Sequence, residues 1–221
     1  MRPNDKKRHK AGPQRGFSIL ELIVTIGILT TVIAVVTDGI MQIEKKSASD
    51  VNKVGLAQES RQFMDQILRD LRQCGYPSLA MFDPASGVTS SSSNVAIGLI
   101  SFSSSAIQFE ADMDGSGVNE VYIQVVAPAS GICPCTVQRG TVLKSVGGTP
   151  AYYTELDNVM AQTIFTAYKY DGSAYDASSD SLSSIKNIGV MLYVQSPLPD
   201  SNQSSTTYPT TTMVSEVRIN N

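Results

Sequence analysis

Asp112, Asp114, Ser116 and Glu120 set side-chain oxygens at positions one, three, five and nine of a loop, a spacing that could wrap a hard cation such as calcium. Gly117 stands sixth, where such a loop makes its sharp turn, and the backbone carbonyl of Val118 would supply the seventh-position ligand. The twelfth position is Ile123, so the bidentate Glu that completes the site is missing, and the flanks read as strands rather than helices. A β-hairpin turn uses the same Asp and Gly residues for their backbone tolerance and is the competing reading. Calcium binding stays open beside the turn reading, and no cofactor is required.

Other chemistry is thin. The only histidine, His9, lies in the first sixteen residues, so the rest of the chain has no imidazole for metal ligation or general base work. Serines are plentiful, but none stands in a nucleophile elbow, and Asp157, Asp176 and Glu216 are scattered as solvated surface acids are. The expectation is a protein that is not an enzyme. The three cysteines, Cys74, Cys133 and Cys135, are too few for a structural zinc site. Only Pro134 separates the last two, and a ring closed across so short a span is tight. The expected disulfide therefore joins Cys74 to Cys133 or Cys135; the sequence does not choose between them, and an all-free state stays open.

Glu21 asks for the most explanation. It is the only formal charge in the twenty residues from Phe17 to Val36. As a helix, twenty residues span ~30 Å, the thickness of a bilayer's hydrocarbon core. A carboxylate in such a run costs ~2.5–3.5 kcal/mol on insertion scales. Six bases (Arg2, Lys6, Lys7, Arg8, Lys10, Arg15) and one acid, Asp5, precede the run, which predicts a cytoplasmic N-terminus. A cleaved secretory signal fits poorly, because the run is long and Val35-Val36-Thr37-Asp38-Gly39 is a weak cleavage site. A plain membrane anchor leaves Glu21 unexplained.

Gly16-Phe17-Ser18-Ile19-Leu20-Glu21, behind a short basic leader and ahead of an apolar helix, resembles the processing signal of type IV prepilins and of type II secretion pseudopilins. The resemblance implies that a prepilin peptidase cuts between Gly16 and Phe17, removing a leader of residues 1–16, and methylates the new Phe17 amine. It implies that the Glu21 carboxylate pairs with the first-residue amine of a neighbouring subunit, a contact that would set subunit register in a filament. The implied partners are the peptidase, other minor and major pilins, the inner-membrane assembly platform and the lipid bilayer. Asp38 stands where many major pilins carry Pro, so the helix is expected to lack that kink. The cysteines would mature in the periplasm, where disulfides persist.

These sites need a long helix to carry them. Residues 17–37 would be its transmembrane or filament-core half and residues 38–76 its amphipathic half, with Ile40, Ile43, Val51, Val54, Phe63, Ile67, Leu68 and Leu71 recurring at mostly three- and four-residue steps. Gly75-Tyr76-Pro77 supplies the stop, and Arg69 and Arg72 suit the negative helix end. Leu68-Arg69-Asp70-Leu71-Arg72 with Gly75-Tyr76 resembles the helix end of minor pilins of the PilW type and of J-type minor pseudopilins. Beyond it lies a serine-rich connection, and then the pattern turns to period two. Strands are predicted within 95–102 and over 106–110, 120–126, 136–146, 159–170, 185–195 and 211–219. One long helix followed by gathered strands gives an α+β class, a pilin-like helix packed on an antiparallel sheet domain over 77–221.

Charge agrees with an assembly role. Beyond residue 16 there are 11 bases against 19 acids, net −8, which argues against nucleic acid as a partner. The expectation is a minor type IV pilin that helps prime a pilus, at its tip or within it. It would enter the inner membrane once, with its C-terminal domain periplasmic and later at the cell surface. The nearest alternative is a minor pseudopilin of type II secretion. An alternative of another class is a pilus-borne adhesin or ligand-binding module.

Overall fold

The computed structural model describes residues 16–200 and 207–220; apart from Gly16, the predicted leader lies outside the described residues. Helix α1 runs from Ile19 to Arg72 and passes Asp38, Gly39 and Gly55 without a break. The chain divides along this helix into two units, one ending at Ser47 and the other beginning at Ala48.

In the first unit every described side chain is exposed. The run is rich in β-branched residues, which do not favour helix in water. In hydrocarbon the balance reverses, because a helix satisfies every backbone group within one segment. The polar side chains are satisfied in the same way. Hydroxyls of Thr25, Thr30, Thr31 and Thr37 donate to carbonyls three or four residues back, at 2.7–3.0 Å. This helix is long and apolar enough to cross a membrane.

The second unit packs residues 49–72 of α1 against an antiparallel sheet of eight strands. Strands β1 (Leu99–Phe102), β2 (Ala106–Ala111), β3 (Asn119–Val126), β4 (Cys135–Leu143) and β5 (Ala151–Val159) pair each with the next as a meander. The strand β7 (Ile185–Gln195) takes β8 (Thr210–Arg218) along one edge. Along the other it takes β6 (Phe165–Lys169), and β5 at Val159–Val194. Leu56, Phe63, Met64, Ile67, Leu68 and Leu71 form the buried helix stripe. Phe109, Val121, Ile123, Val137, Ile188, Val190 and Leu192 meet it from the sheet.

Three expectations are corrected. Val51 and Val54 are 67% and 55% exposed, and Ile40 and Ile43 are exposed too. By helical periodicity Val54 lies nine residues, a half-turn, from Phe63, so it faces away from the sheet. The strand predicted over 159–170 is the end of β5 and then β6. β5 hid because only Leu156 and Val159 are buried along it, three residues apart; the register shifts opposite them, and Asn158 has φ 57°. Alternation is the usual strand signal, and it is broken there. The disulfide joins Cys133 to Cys135, leaving Cys74 free and buried. The Gly75 amide bonds to Glu110 at the Leu143 end of the sheet, whereas Cys135 opens β4 at the other end. Eight residue steps of strand, ~27 Å, separate the two ends, too far for Cys74 to bridge.

Candidate functional site

α1 begins at Ile19, and its first turn closes with Leu22 N–H donating to the Ser18 carbonyl at 3.1 Å. Glu21 lies in that turn, where a carboxylate suits the positive end of the helix dipole. Ser18 and Glu21 have the S-x-x-E spacing of a capping box, so the residues that could register a subunit also suit the start of a helix. Phe17 is 78% exposed, and Gly16 before it is exposed and non-helical. The predicted cleavage bond thus lies in exposed, non-helical chain just ahead of the helix. A peptidase needs such access to backbone. Gly16, Phe17 and Glu21 fall within six residues of one another on one helix end.

The calcium candidates are placed differently. Residues 112–118 are the turn between β2 and β3, paired from Ala106↔Gln124 to Ala111↔Asn119. Asp112 Oδ1 accepts from Gly115 N at 2.8 Å, and Asp114 Oδ1 accepts from Ser116 N at 3.0 Å and Ser116 Oγ at 2.6 Å. Those bonds from Ser116 hold the Asp114 carboxyl below its ordinary range. Val118 is buried, and its carbonyl accepts from Lys144 N at 2.9 Å. Glu120 belongs to β3, where it accepts from Tyr122 Oη at 2.6 Å and Gln108 Nε2 at 3.4 Å. The Tyr122 hydroxyl, donating to Glu120, is pushed up to about 12. Asp112, Asp114 and Ser116 therefore serve the turn while Glu120 serves the sheet. Among the described residues no three His, Cys, Asp or Glu side chains gather as metal ligands.

Among the described residues, three buried polar contacts, none foreseen, hold the second unit together. Asp70, within the helix end that resembles minor pilins, takes Arg139 Nε at 3.0 Å and a second guanidinium nitrogen at 2.9 Å. Lys144 Nζ meets Glu110 Oε2 at 2.8 Å and donates to the Val95 carbonyl at 2.8 Å; Glu110 Oε2 also accepts from Ile97 N. That cluster fastens the irregular 77–98 connection to the sheet. Asp200, after β7, accepts from Ser49 Oγ at 2.7 Å and meets Lys53 Nζ at 2.8 Å. The signal for them was faint: an acid in the last turn of a helix beside its apolar stripe (Asp70), and an acid in a strand whose neighbours are buried (Glu110).

The motif at the helix end has a physical content. Leu68 and Leu71 are core, Asp70 holds β4, and Gly75 adopts φ +76° where a Cβ would strike the Asn220 carbonyl. No protein-family model, no curated protein and no solved structure matches the chain.

Proposed function

We propose that the chain is a minor type IV pilin, processed between Gly16 and Phe17 and assembled through the exposed apolar half of α1. One observation carries the reading: an exposed apolar helix, with Glu21 as the one charge in its first eighteen residues, follows a Gly-Phe junction and continues into a helix stripe that packs on an antiparallel sheet. An exposed apolar helix must be covered by lipid or by other helices. Lipid covers it before assembly and neighbouring subunits cover it afterwards. Val51 and Val54, exposed on the side turned from the sheet, extend the surface open to such neighbours. The role is structural, and catalysis has no part in it.

Intact mass of the protein from membrane and sheared-filament fractions tests the reading. The expected species starts at Phe17 and is one methyl group heavier than the bare chain. A species retaining residues 1–16, or cut after Val36, overturns it. The same species in membranes but never in pili, together with a requirement for it in protein export, would assign the chain to type II secretion instead.

A further inference from the structure

Residues 76–221 contain five bases against twelve acids. Two of the five, Arg139 and Lys144, are committed to the buried pairs with Asp70 and Glu110. The remaining three, Lys169, Lys186 and Arg218, all line one cleft of about 420 Å³, with Tyr170, Gly172 and Asn187. A unit this acidic has thus drawn the three bases beyond α1 that lie outside those buried pairs to one place. β6, β7 and β8 bring them together: Lys169 pairs with Ile185 and Arg218 with Asn187, either side of Lys186.

The acids nearby leave most of that charge open. Asp180 meets Lys169 at 3.2 Å and also caps the Asp176 amide. Asp171 lines the adjoining cleft, and its Oδ1 accepts from Ser173 N and Oγ. Glu216 accepts from Asn187 Nδ2 at 2.7 Å, which sets that amide at the cleft. Among the described residues, the Lys186 and Arg218 side chains have no ion-pair or hydrogen-bond partner. Tyr170 stands 81% exposed between this cleft and an adjoining one of about 340 Å³, into which Ser183 and Ser184 also face.

Charge, a hydrogen-bonding amide and a bare aromatic ring in a cleft this size describe a small-ligand site rather than a track. A nucleic-acid strand would carry further phosphates out over the surrounding acids, where they would be repelled. We propose that the cleft binds an acidic saccharide, its sulfate, phosphate or carboxylate held by Lys186 and Arg218 and its ring laid against Tyr170.

The test uses the full chain in a neutral polyoxyethylene detergent and isothermal titration with a fully sulfated heparin disaccharide. Its desulfated counterpart and an oligothymidylate of equal charge are the comparisons. The sulfated sugar should bind, the desulfated one, left with a single carboxylate, should bind more weakly, and raising salt from about 50 to about 500 mM should weaken binding. Lys186→Ala with Arg218→Ala should weaken it about tenfold or more, and Tyr170→Ala should weaken it with both cations intact. Tyr170 and Arg218 are exposed and Lys186 is half-buried, so thermal midpoints should stay close to the parent; Lys186→Gln alone serves if the double variant does not fold. Equal binding of the two disaccharides, unchanged affinity in the cation variants, or tighter binding of the oligothymidylate would each overturn the proposal.

Discussion

Cys74 and Asp70 sit four residues apart on the same buried helix end, and burial moves both groups toward their neutral forms. The Cys74 thiol is pushed up to about 12, by burial first and by the Glu110 charge second. It should therefore resist iodoacetamide at pH 8 in the native chain and react once the chain is unfolded. Native labelling at the rate of a free thiol would contradict its placement in the core. Asp70 is held above its ordinary value of 3.8, because burial outweighs the pull of the Arg139 guanidinium. The folded state then keeps the proton more tightly than the unfolded one. That contribution to stability is complete below 3.8 and is lost as pH rises through the elevated value. Removing Arg139 takes away the main support for the Asp70 charge and leaves the weaker pull of Arg69. Arg139→Met should thus cost ~3–5 kcal/mol at pH 7 and clearly less near pH 4, where Asp70 can hold a proton. Chemical unfolding at the two pH values checks this, and an equal loss at both would show that the pair is not what couples β4 to α1.

At the scale of elements, the two sides of α1 within the second unit differ sharply. Ile67 is buried against the sheet, and Ile67→Ala should cost ~2–5 kcal/mol of stability. Val54→Asp, on the open side, should change it by no more than ~0.5 kcal/mol while lowering recovery of the protein in sheared filaments. Denaturant midpoints beside filament yields separate the two effects; a large stability loss for Val54→Asp would mean that face is already covered. Much of this was legible in sequence. The apolar run, the helix stop at Gly75 and the strand β7 follow from composition, backbone tolerance and alternation, which are local properties. Ile40, Ile43, Val51 and Val54 misled because periodicity finds an apolar stripe without saying whether the sheet or another molecule meets it. β5 was hidden by its exposed tyrosines and irregular register, and the partner of Cys133 by topology, since only the strand order reveals that Cys74 lies at the far end of β4. The buried pairs join residues as far apart in sequence as Ser49 and Asp200, and no local pattern marks them.

For the whole molecule, the question is why a carboxylate stands third in a membrane-length apolar helix. In a monomeric anchor Glu21 is a cost without return, so its loss should be neutral or should ease insertion. On the proposed reading, in a filament of packed helices the same carboxylate would meet the amine that cleavage would create at Phe17 of a neighbour. Removing one partner of a desolvated pair typically costs ~3–5 kcal/mol, because the other charge is left uncompensated. Every 1.4 kcal/mol is about tenfold in an equilibrium. Glu21→Ala should therefore leave the amount of protein in the membrane and the midpoint of unfolding unchanged, yet lower its recovery in sheared filaments about tenfold or more. Glu21→Gln keeps the size and loses the charge, so it should resemble Glu21→Ala if pairing is electrostatic and the parent if the side chain only fills space. Quantitative immunoblots of membrane and filament fractions, with intact mass to verify cleavage, read out both. Filament recovery that survives the loss of Glu21 would show that the carboxylate does not register subunits and is no more than a cap on the first turn of the helix.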